Sequence, residues 1–320
     1  MVADSNAVKR TNSAVLAPWQ AAREGWRLAT AGYAGEPFLK LLKQQVRWAF
    51  AAALKGSDAA GWFDCSADYP LRTYVDLNPR MALKPLRVYL SENWKIERKI
   101  KVLRDSYAFI ESIGAPLRDA LFRPGGVVLA TIPLPSIGDA ELVLGYDNTY
   151  RKEGEMVVTL RSPEPGGNII ALAFAFERGD DGAWLLYVGC IQGRNGVDNK
   201  PISKAMHGLF PKAFIVFAIQ EIARSLGIGM IFGVGNSIHS HRKKHIIHIK
   251  SRHGLTFDYD ELWGELGGEP AHEGWFEVPL QLERRPYESI KSNKRSMYTK
   301  RYAMLDEVSR QIDTYFLPQG

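Results

Sequence analysis

The strongest constraint on the fold is a series of five strand-like segments in the middle of the chain. These segments cover residues 126–132, 141–144, 155–160, 168–176 and 184–191. The last three are joined by Pro-Glu-Pro-Gly-Gly at 163–167 and Arg-Gly-Asp-Asp-Gly at 178–182, and such residues favour tight hairpin turns. Because hairpins join antiparallel strands, the sequence predicts an antiparallel meander.

The pattern changes to helix after the meander. Apolar residues recur on one helical face over residues 211–226, with Pro211 in the first turn and Gly227 as a C-terminal cap. A short buried strand (228–234), a helix (257–266), a strand (275–280) and one or two basic helices (287–314) are predicted to follow. This order indicates an α+β fold, in which helices flank a mixed and mostly antiparallel sheet.

The first part of the chain is predicted to be helical. Residues 38–54 form a long segment with helical spacing, and Lys55-Gly56-Ser57 carries a helix-end signal. Residues 57–84 are predicted to be irregular, and a second helical region should run from Pro85 to about Ile113. The predicted organisation is therefore a helical region (1–118), an α/β core (119–282) and a basic helical extension packed on that core (283–320).

Composition excludes several classes of protein. Two cysteines, Cys65 and Cys190, are too few for a disulfide scaffold or a Cys₄ zinc site. The longest apolar run, residues 169–176, is far shorter than the roughly 20 residues that span a bilayer. The first residues also contain no apolar segment of signal-peptide length. We therefore expect a cytoplasmic protein, with peripheral attachment to the inner membrane as a further expectation.

The order of elements resembles the second half of the GNAT-type N-acyltransferase fold. The resemblance implies that the arm of an acyl carrier lies between two parallel strands, 185–191 and 228–234, with its phosphates on the loop 192–200. Free backbone amides and a helix start bind anions in this way. The loop departs from the usual motif, because Asn195 stands where a glycine is expected. The candidate carrier-binding residues are Gln192, Gly193, Arg194, Gly196, Lys212 and Asn236.

A closer resemblance, to the VirK/YbjX family of bacterial proteins, extends from about residue 35 to 315. It rests on Ile-Gln-Gly at 191–193, His-Gly-Leu-Phe-Pro-Lys at 207–212, and further motifs at 150–155, 233–239, 257–263 and 290–302. The family usually has arginine where this chain has Phe210; Lys212 or Arg194 would then have to supply the positive charge. The resemblance implies a role in virulence and in resistance to antimicrobial peptides, without an agreed biochemical activity.

Four residues are candidates for catalysis. His207 and His239 are suited to proton abstraction, because an ordinary histidine titrates near neutral pH. Tyr259 could protonate a leaving thiolate, and Asp260 could orient a histidine. The structural alternatives are a histidine at a helix end, a core aromatic residue and a helix N-cap.

All seven histidines lie between His207 and His272, and three of them raise the question of a metal site. His241, His245 and His248 would share one face of a helix, but basic residues intervene and no carboxylate is near, so no metal is expected. Cys190 is expected to be a small buried apolar residue, with a Cys-His acyl transfer as the alternative.

The net positive charge is local. The segment 284–301 holds seven Lys/Arg and one acid, Glu288, so its net charge equals the +6 of the whole chain. An anionic partner is one interpretation, and a solvated helix face is the other. The candidate residues for binding that partner are Lys294, Arg295, Tyr298 and Arg301.

Two hypotheses follow from the sequence. The first is an acyltransferase-like protein that moves an acyl or aminoacyl group from acyl-coenzyme A, acyl-carrier protein or aminoacyl-tRNA to an amine or hydroxyl. The carrier would be a co-substrate, and no tightly bound cofactor is expected. The alternative is a non-catalytic regulator of envelope stress and virulence whose basic C-terminal helices bind an anionic lipid surface, tRNA or another anion. Sequence-specific nucleic-acid binding is a weaker option, since no recognition motif is visible.

Overall fold

The computed structural model describes residues 5–135, 137–162, 166–194, 196, 198–240 and 257–317. The candidate metal ligands His241, His245 and His248 lie outside these residues. The chain divides into two compact units. The first contains Met1–Tyr89 and Trp94–Ala108, and the second contains Leu90–Asn93 and Phe109–Gly320. The sequence placed its first boundary near residue 118, ten residues later than this division.

The first unit is helical. Its elements are α1 (Ser5–Gly32), α2 (Phe38–Ser66), α3 (Leu71–Leu77) and the first part of α4 (Ile96–Ile113). Helices α1 and α2 form an antiparallel hairpin, in which a Cβ on Gly25 would lie 2.7 Å from the Trp48 carbonyl oxygen. Glycine therefore allows the two backbones to approach closely. Trp48 and Trp62 fill the core of this unit.

Helix α2 does not end where the sequence predicted. Gly56 has φ 47° and ψ −115°, which only glycine adopts readily, and the chain resumes its helical course as far as Ser66. The predicted helix end is a kink. The segment 57–84 is correspondingly not irregular throughout, because it contains the end of α2 and all of α3.

The second unit is built on a mixed sheet. Its described strands are β1 (Val127–Leu134), β2 (Gly138–Gly145), β3 (Met156–Ser162), β4 (Gly167–Arg178), β5 (Trp184–Gly193), β6 (Met230–Val234), β7 (Glu269–Pro270) and β8 (Trp275–Val278). They lie in the order β1-β2-β3-β4-β5-β6-β8-β7. The β5–β6 pair is parallel and the other pairs are antiparallel. The predicted meander is present as β1 to β5.

Helices complete the second unit. They are α5 (Ala115–Phe122), α6 (Asn199–Ala205), α7 (Pro211–Ser225), α8 (Tyr259–Glu265) and α9 (Ser292–Phe316). Helix α7 packs on β3, β4 and β5, and α9 packs on α7 and β1. The predicted α+β class, with a mostly antiparallel sheet flanked by helices, is confirmed.

Burial on both faces explains why the sequence of β4 is a continuous apolar run. Every residue of β4 from Ile169 to Glu177 is buried, since both faces of the strand are covered. The short helix α6 and the two-residue strand β7 were not predicted, because neither carries a periodic apolar pattern. In the described part of the chain, no helix is long and apolar enough to cross a membrane.

Candidate functional site

The ladder between the parallel strands β5 and β6 stops before β5 ends, which leaves a gap in the pairing of the sheet. Their ladder contains four residue pairs, from Leu185 opposite Met230 to Val188 opposite Gly233. Strand β6 ends at Val234, whereas β5 continues to Gly193 with β4 alone as its ladder partner. The β6-facing edge of β5 therefore carries backbone groups that the sheet does not pair along residues 189–193.

The hydroxyl of Tyr259 enters this gap. It accepts a hydrogen bond from the Ile191 N–H and donates one to the Ile191 carbonyl, both at 3.1 Å. The ring of His239 stacks on the Tyr259 ring, with 4.9 Å between their centroids, and both side chains are buried. Two of the four predicted catalytic residues therefore lie together beside β5.

Asn236 and two aspartates position Tyr259 at the start of α8. The side-chain amide of Asn236 donates to Asp258 at 2.7 Å, and its carbonyl oxygen accepts the Tyr259 N–H at 2.9 Å. Asp260 accepts the backbone N–H of Asn236 at 2.8 Å. These bonds join the end of β6 to the first turn of α8. Asp260 thus bonds to the segment after β6, and Asn236 bonds to the start of α8. Both residues therefore position Tyr259.

A buried carboxylate, that of Glu153, joins His239 and Tyr259 in a cluster beside β5. Glu153, in the connection between β2 and β3, accepts a hydrogen bond of 2.7 Å from the Ser240 hydroxyl, and both residues are buried. Residues 90–93 contact both the segment that carries Glu153 and the segment that carries His239. The Leu90 N–H donates to the Lys152 carbonyl at 2.7 Å, and Ser91 forms a β-bridge with His239. The local backbone thereby holds the carboxylate and the histidine in one cluster.

Burial and nearby negative charge raise the pKa values of Cys190, Tyr150 and Tyr259 in this cluster. The pKa of the Cys190 thiol is raised well above its usual value by burial and by the charge of Glu153. Burial, assisted by Cys190 and other acidic neighbours, raises the pKa of Tyr150 to about 12. Burial also raises the pKa of Tyr259 well above its usual value. Cys190 is therefore a thiol at neutral pH, as the interpretation of a small buried residue requires, and Tyr259 is a protonated phenol.

His207 lies in different surroundings. It follows α6 with φ 54°, and its carbonyl oxygen accepts hydrogen bonds of 3.1 and 2.8 Å from the Arg301 guanidinium. Burial, together with the positive charges of Lys300 and Arg301, lowers the pKa of the His207 imidazole. The imidazole is therefore neutral at physiological pH. The backbone carbonyl of His207 thus contacts α9, whereas the ring of His239 contacts Tyr259.

The predicted carrier-binding residues follow the gap along the chain. Gln192 and Gly193 are exposed at the end of β5, and Gly196 is exposed with φ 80°. The Arg194 N–H donates to the Ile169 carbonyl, and its guanidinium donates to the carbonyl of Gly166. The ammonium group of Lys212, in the first turn of α7, lies 3.9 Å from the centre of the Phe257 ring.

Two of the predicted anion-binding arginines have contacts within the protein. Arg295 donates to the Ile290 carbonyl at 3.1 Å, and Arg301, besides its bonds to His207, lies 4.3 Å above the Tyr298 ring. Lys294 is exposed. The charged face of α9 is therefore partly a structural element of the fold.

Sequence reasoning did not select Glu153, Ser240 or Tyr150 as site residues. Glu153 and Tyr150 stand in the Tyr-Arg-Lys-Glu-Gly-Glu stretch at 150–155, which supported only the family resemblance. A buried Glu153 in a loop offers no periodic signal. Within the described residues, no group of three or more His, Cys, Asp and Glu side chains could hold a metal ion.

Comparison with known proteins gives the chain a family. Uncharacterized protein YbjX of Escherichia coli is 27% identical over 80% of this chain and 78% of its own. An uncharacterized protein of Haemophilus influenzae is 32% identical over 55% of this chain and 58% of its own.

Among solved structures, a cAMP-binding acyltransferase from Mycobacterium smegmatis matches with a TM-score of 0.27 and 8% identity, over 69% of this chain and 61% of its own. A mutant of it scores 0.28 at 10% identity, over 67% and 61%. At such low scores the likeness supports no conclusion about function. The sequence matches, by contrast, confirm the resemblance to the VirK/YbjX family. The family described as "Protein of unknown function (DUF535)" matches residues 37–314, and this chain belongs to it.

Proposed function

We propose that the second unit transfers an acyl or aminoacyl group from a carrier to an amine or hydroxyl acceptor. The observation that carries the proposal is the gap beside β5, where the ladder to β6 stops at Val188 and the edge of β5 continues to Gly193. An extended arm containing amide groups, such as pantetheine, can pair with such an edge as an added strand does. The parallel pair at this position supports the likeness to the GNAT-type fold.

The proposal assigns Tyr259 two roles. Without a carrier its hydroxyl occupies both polar groups of Ile191, which are the groups that the arm would use. When the arm takes these groups, the hydroxyl is released next to the reacting carbonyl. Because burial raises the pKa of Tyr259, the phenol retains its proton at neutral pH and can give it to the leaving thiolate or alkoxide.

The acceptor needs a base, and the cluster contains two candidates. His239 stacks on Tyr259, and Glu153 lies among Ser240, Cys190 and Tyr150. One of them takes a proton from the acceptor amine or hydroxyl as its new bond to the acyl carbon forms. The carrier's bond to that carbon breaks, and the leaving group accepts the Tyr259 proton. Proton exchange with water then returns the base and Tyr259 to their starting protonation states.

The carrier's phosphates would lie near the start of α7. The start of α6 is less suitable, because the Asp198 carboxylate already caps it by accepting the Lys200 N–H at 2.9 Å. Helix α7 has no side-chain cap, since Phe210 and Pro211 precede its first free amides, and Lys212 adds a positive charge. The segment 192–200 after β5 adds two exposed cations, Arg194 and Lys200.

The test is a thermal-shift series on the purified full-length chain. The ligands are acetyl-coenzyme A, a long-chain acyl-coenzyme A, acyl-carrier protein and aminoacyl-tRNA, each at low and high salt. A ligand at 100 times its Kd stabilises a protein by about 2.7 kcal/mol, which is measurable. The decisive variant is Tyr259→Phe, which removes only the hydroxyl. The control is Tyr315→Phe, whose hydroxyl donates to the Pro116 carbonyl at 2.9 Å elsewhere in the unit.

We expect both variants to lower the Tm of the protein alone, because each loses a hydrogen bond. With a carrier, Tyr259→Phe should show a larger stabilisation than the native chain, since the competing hydroxyl is absent, whereas Tyr315→Phe should match the native chain. Turnover should fall in Tyr259→Phe alone. Equal carrier-induced shifts in all three proteins, or no salt-resistant shift with any carrier, would contradict the proposal.

A groove beside α9 favours a second candidate, a regulator that binds an anionic partner. The groove has a volume of about 210 Å³ and is lined by Arg284, Arg285, Tyr287, Tyr298 and Tyr302, among others. Aromatic and guanidinium groups together suit a flat or phosphorylated ligand. This function would require no chemistry at the β5–β6 gap, and it predicts binding that weakens as salt is added.

A further inference from the structure

Helix α2 presents an apolar stripe to solvent. Phe38, Leu42, Val46, Phe50 and Leu54 follow one another at intervals of four residues and are between 36% and 75% exposed. Neighbouring members of this series lie one above the other, and each step of four residues turns the helix by about 40° beyond a full turn. The five side chains therefore form a slanted band that covers about 160° of the helix surface. Leu39, 78% exposed, lies on the same side of the helix. The stripe therefore runs along α2 from its first turn almost to the kink at Gly56.

The opposite face of α2 already has its partner. Trp48 and Ala52 are buried against α1, and the contact of Gly25 with the Trp48 carbonyl fixes the two helices together. The stripe is thus a second apolar face, which the hairpin does not need for its own packing. Contiguous apolar surface of this kind marks interaction sites in proteins.

The charges within α2 beside the stripe are all positive. Lys40, Lys43, Arg47 and Lys55 are exposed, and no acidic residue occurs between residues 37 and 57. Lys40 forms a 3.4 Å ion pair with Glu36, which precedes the helix. On a helical projection, Lys43 and Arg47 border the stripe next to Phe50 and Leu54. An apolar face with a basic border is the pattern of helices that lie in the surface of an anionic bilayer.

We propose that the apolar stripe of α2 binds the surface of an anionic lipid membrane. The apolar side chains would enter the boundary between headgroups and acyl chains, and the lysines and Arg47 would meet lipid phosphates. Charge complementarity favours this occupant over a second copy of the chain, because two copies joined at the stripe would bring identical basic borders together. The surface belongs to the first unit alone, so it is independent of the proposed acyl transfer.

The test is co-sedimentation of the full-length chain with vesicles. One set contains phosphatidylglycerol and phosphatidylcholine in equal parts, and the other contains phosphatidylcholine alone. Val46→Gln/Phe50→Gln removes part of the stripe, and Lys43→Gln/Arg47→Gln removes part of its border. The matched apolar control is Leu77→Gln, a residue of α3 that is 64% exposed in the same unit. The charge control is Arg72→Gln/Lys95→Gln, which removes two exposed basic residues of the same unit outside α2.

We expect binding to the anionic vesicles only, weakened at least tenfold by each α2 variant and unchanged by both controls. For the variant that removes two basic residues, the tenfold loss follows from about 1 kcal/mol per basic residue near an anionic surface. Equal binding to both vesicle types would overturn the proposal, and so would a loss confined to the charge control. A dimer in sedimentation velocity that the α2 variants dissociate, without any vesicle binding by the native chain, would assign the stripe to a second copy instead.

Discussion

At Gly189, β5 packs closely against the segment that carries Glu153. A Cβ at this position would overlap the Glu153 carbonyl oxygen and lie 2.7 Å from a methyl group of Leu90. The first obstacle is backbone, which cannot turn aside as the end of a side chain can. Glycine therefore allows the buried carboxylate to reach the cluster beside β5.

We expect Gly189→Ala to lower the free energy of unfolding by about 3 kcal/mol, because the connection between β2 and β3 must shift. Urea unfolding followed by tryptophan fluorescence measures the change. The control is Gly264→Ala in α8, where a Cβ would meet no atom within 4 Å. Alanine is the better helix former there and should leave stability unchanged or raise it by up to about 1 kcal/mol. Similar effects of the two substitutions would show that the close approach is not significant.

Individual residues also show how much of the site could be predicted from the sequence. His239 and Tyr259 were selected because each follows or begins a predicted element, and the structure stacks their rings at 4.9 Å. Glu153 was not selected, because its partner Ser240 lies 87 residues away and the pairing depends on the tertiary fold. His207 was grouped with His239 by their clustering in sequence, yet its backbone carbonyl oxygen binds Arg301 of α9. Proximity along the chain was no guide to which residues each histidine contacts.

At the scale of elements, a polar clamp fixes α9 to the end of α7. Arg224 forms a 2.8 Å ion pair with Asp313, and the Ser225 hydroxyl donates to the same carboxylate at 2.6 Å. Leu305, Val308 and Ile312 of α9 are buried. The clamp thus sets the position of a helix that the apolar contacts hold in place.

We expect Asp313→Asn to lower the free energy of unfolding by about 0.5–1 kcal/mol near neutral pH, a small effect because the ion pair is partly exposed to solvent. Burial raises the pKa of Asp313, but the bonds from Arg224 and Ser225 and the charge of Arg224 outweigh it, so the folded pKa is below 3.8. The carboxylate therefore stabilises the fold above that value, and its contribution disappears as pH falls through the folded pKa.

Urea unfolding of the native chain and of Asp313→Asn across this pH range measures the difference. It should be constant near neutrality and shrink in acid. The control is Glu307→Gln, which loses an ion pair with Arg310 inside the same helix and should have little effect. A difference between the native chain and Asp313→Asn that grows as pH falls below 3.8 would contradict the assignment of the clamp.

Element boundaries show what local patterns omit. Gly56 carries a glycine signal that is common to a helix end and to a kink, because both require a backbone that other residues avoid. The packing of Ala59, Trp62 and Phe63 beyond it decides between them, since their burial keeps the chain helical. By contrast, α7 was predicted to within one residue, because its one-face apolar pattern coincides with a proline start and a glycine end.

At the scale of the whole molecule, the order of β1 to β5 was predictable because consecutive hairpins leave one topology. The parallel pairing of β5 and β6 also follows, since a helix crossover separates them. The length of the gap between them could not be predicted. It depends on β6 ending after five residues and on Tyr259 arriving from α8, 68 residues beyond Ile191.

The tertiary structure gives the basic residues of the chain two different roles. In the segment 284–301, the side chains of Arg284, Arg295 and Arg301 bind Asp306, the Ile290 carbonyl and the His207 carbonyl, respectively. Lys291, Lys294 and Lys300 are exposed. The local excess of charge therefore contains arginines that hold the fold together and lysines that can meet a partner.

This division predicts opposite effects for two triple variants. Lys291→Gln/Lys294→Gln/Lys300→Gln should weaken binding to a heparin column or to tRNA, reduce the dependence of that binding on salt, and leave the Tm unchanged. Arg284→Gln/Arg295→Gln/Arg301→Gln removes the same number of charges but should lower the Tm, because it breaks contacts within the fold. Far-ultraviolet circular dichroism and salt titrations of binding separate the two effects. If both variants lost polyanion binding equally at an unchanged Tm, α9 would act as an undivided basic surface, and the contacts of its arginines would contribute nothing to the fold.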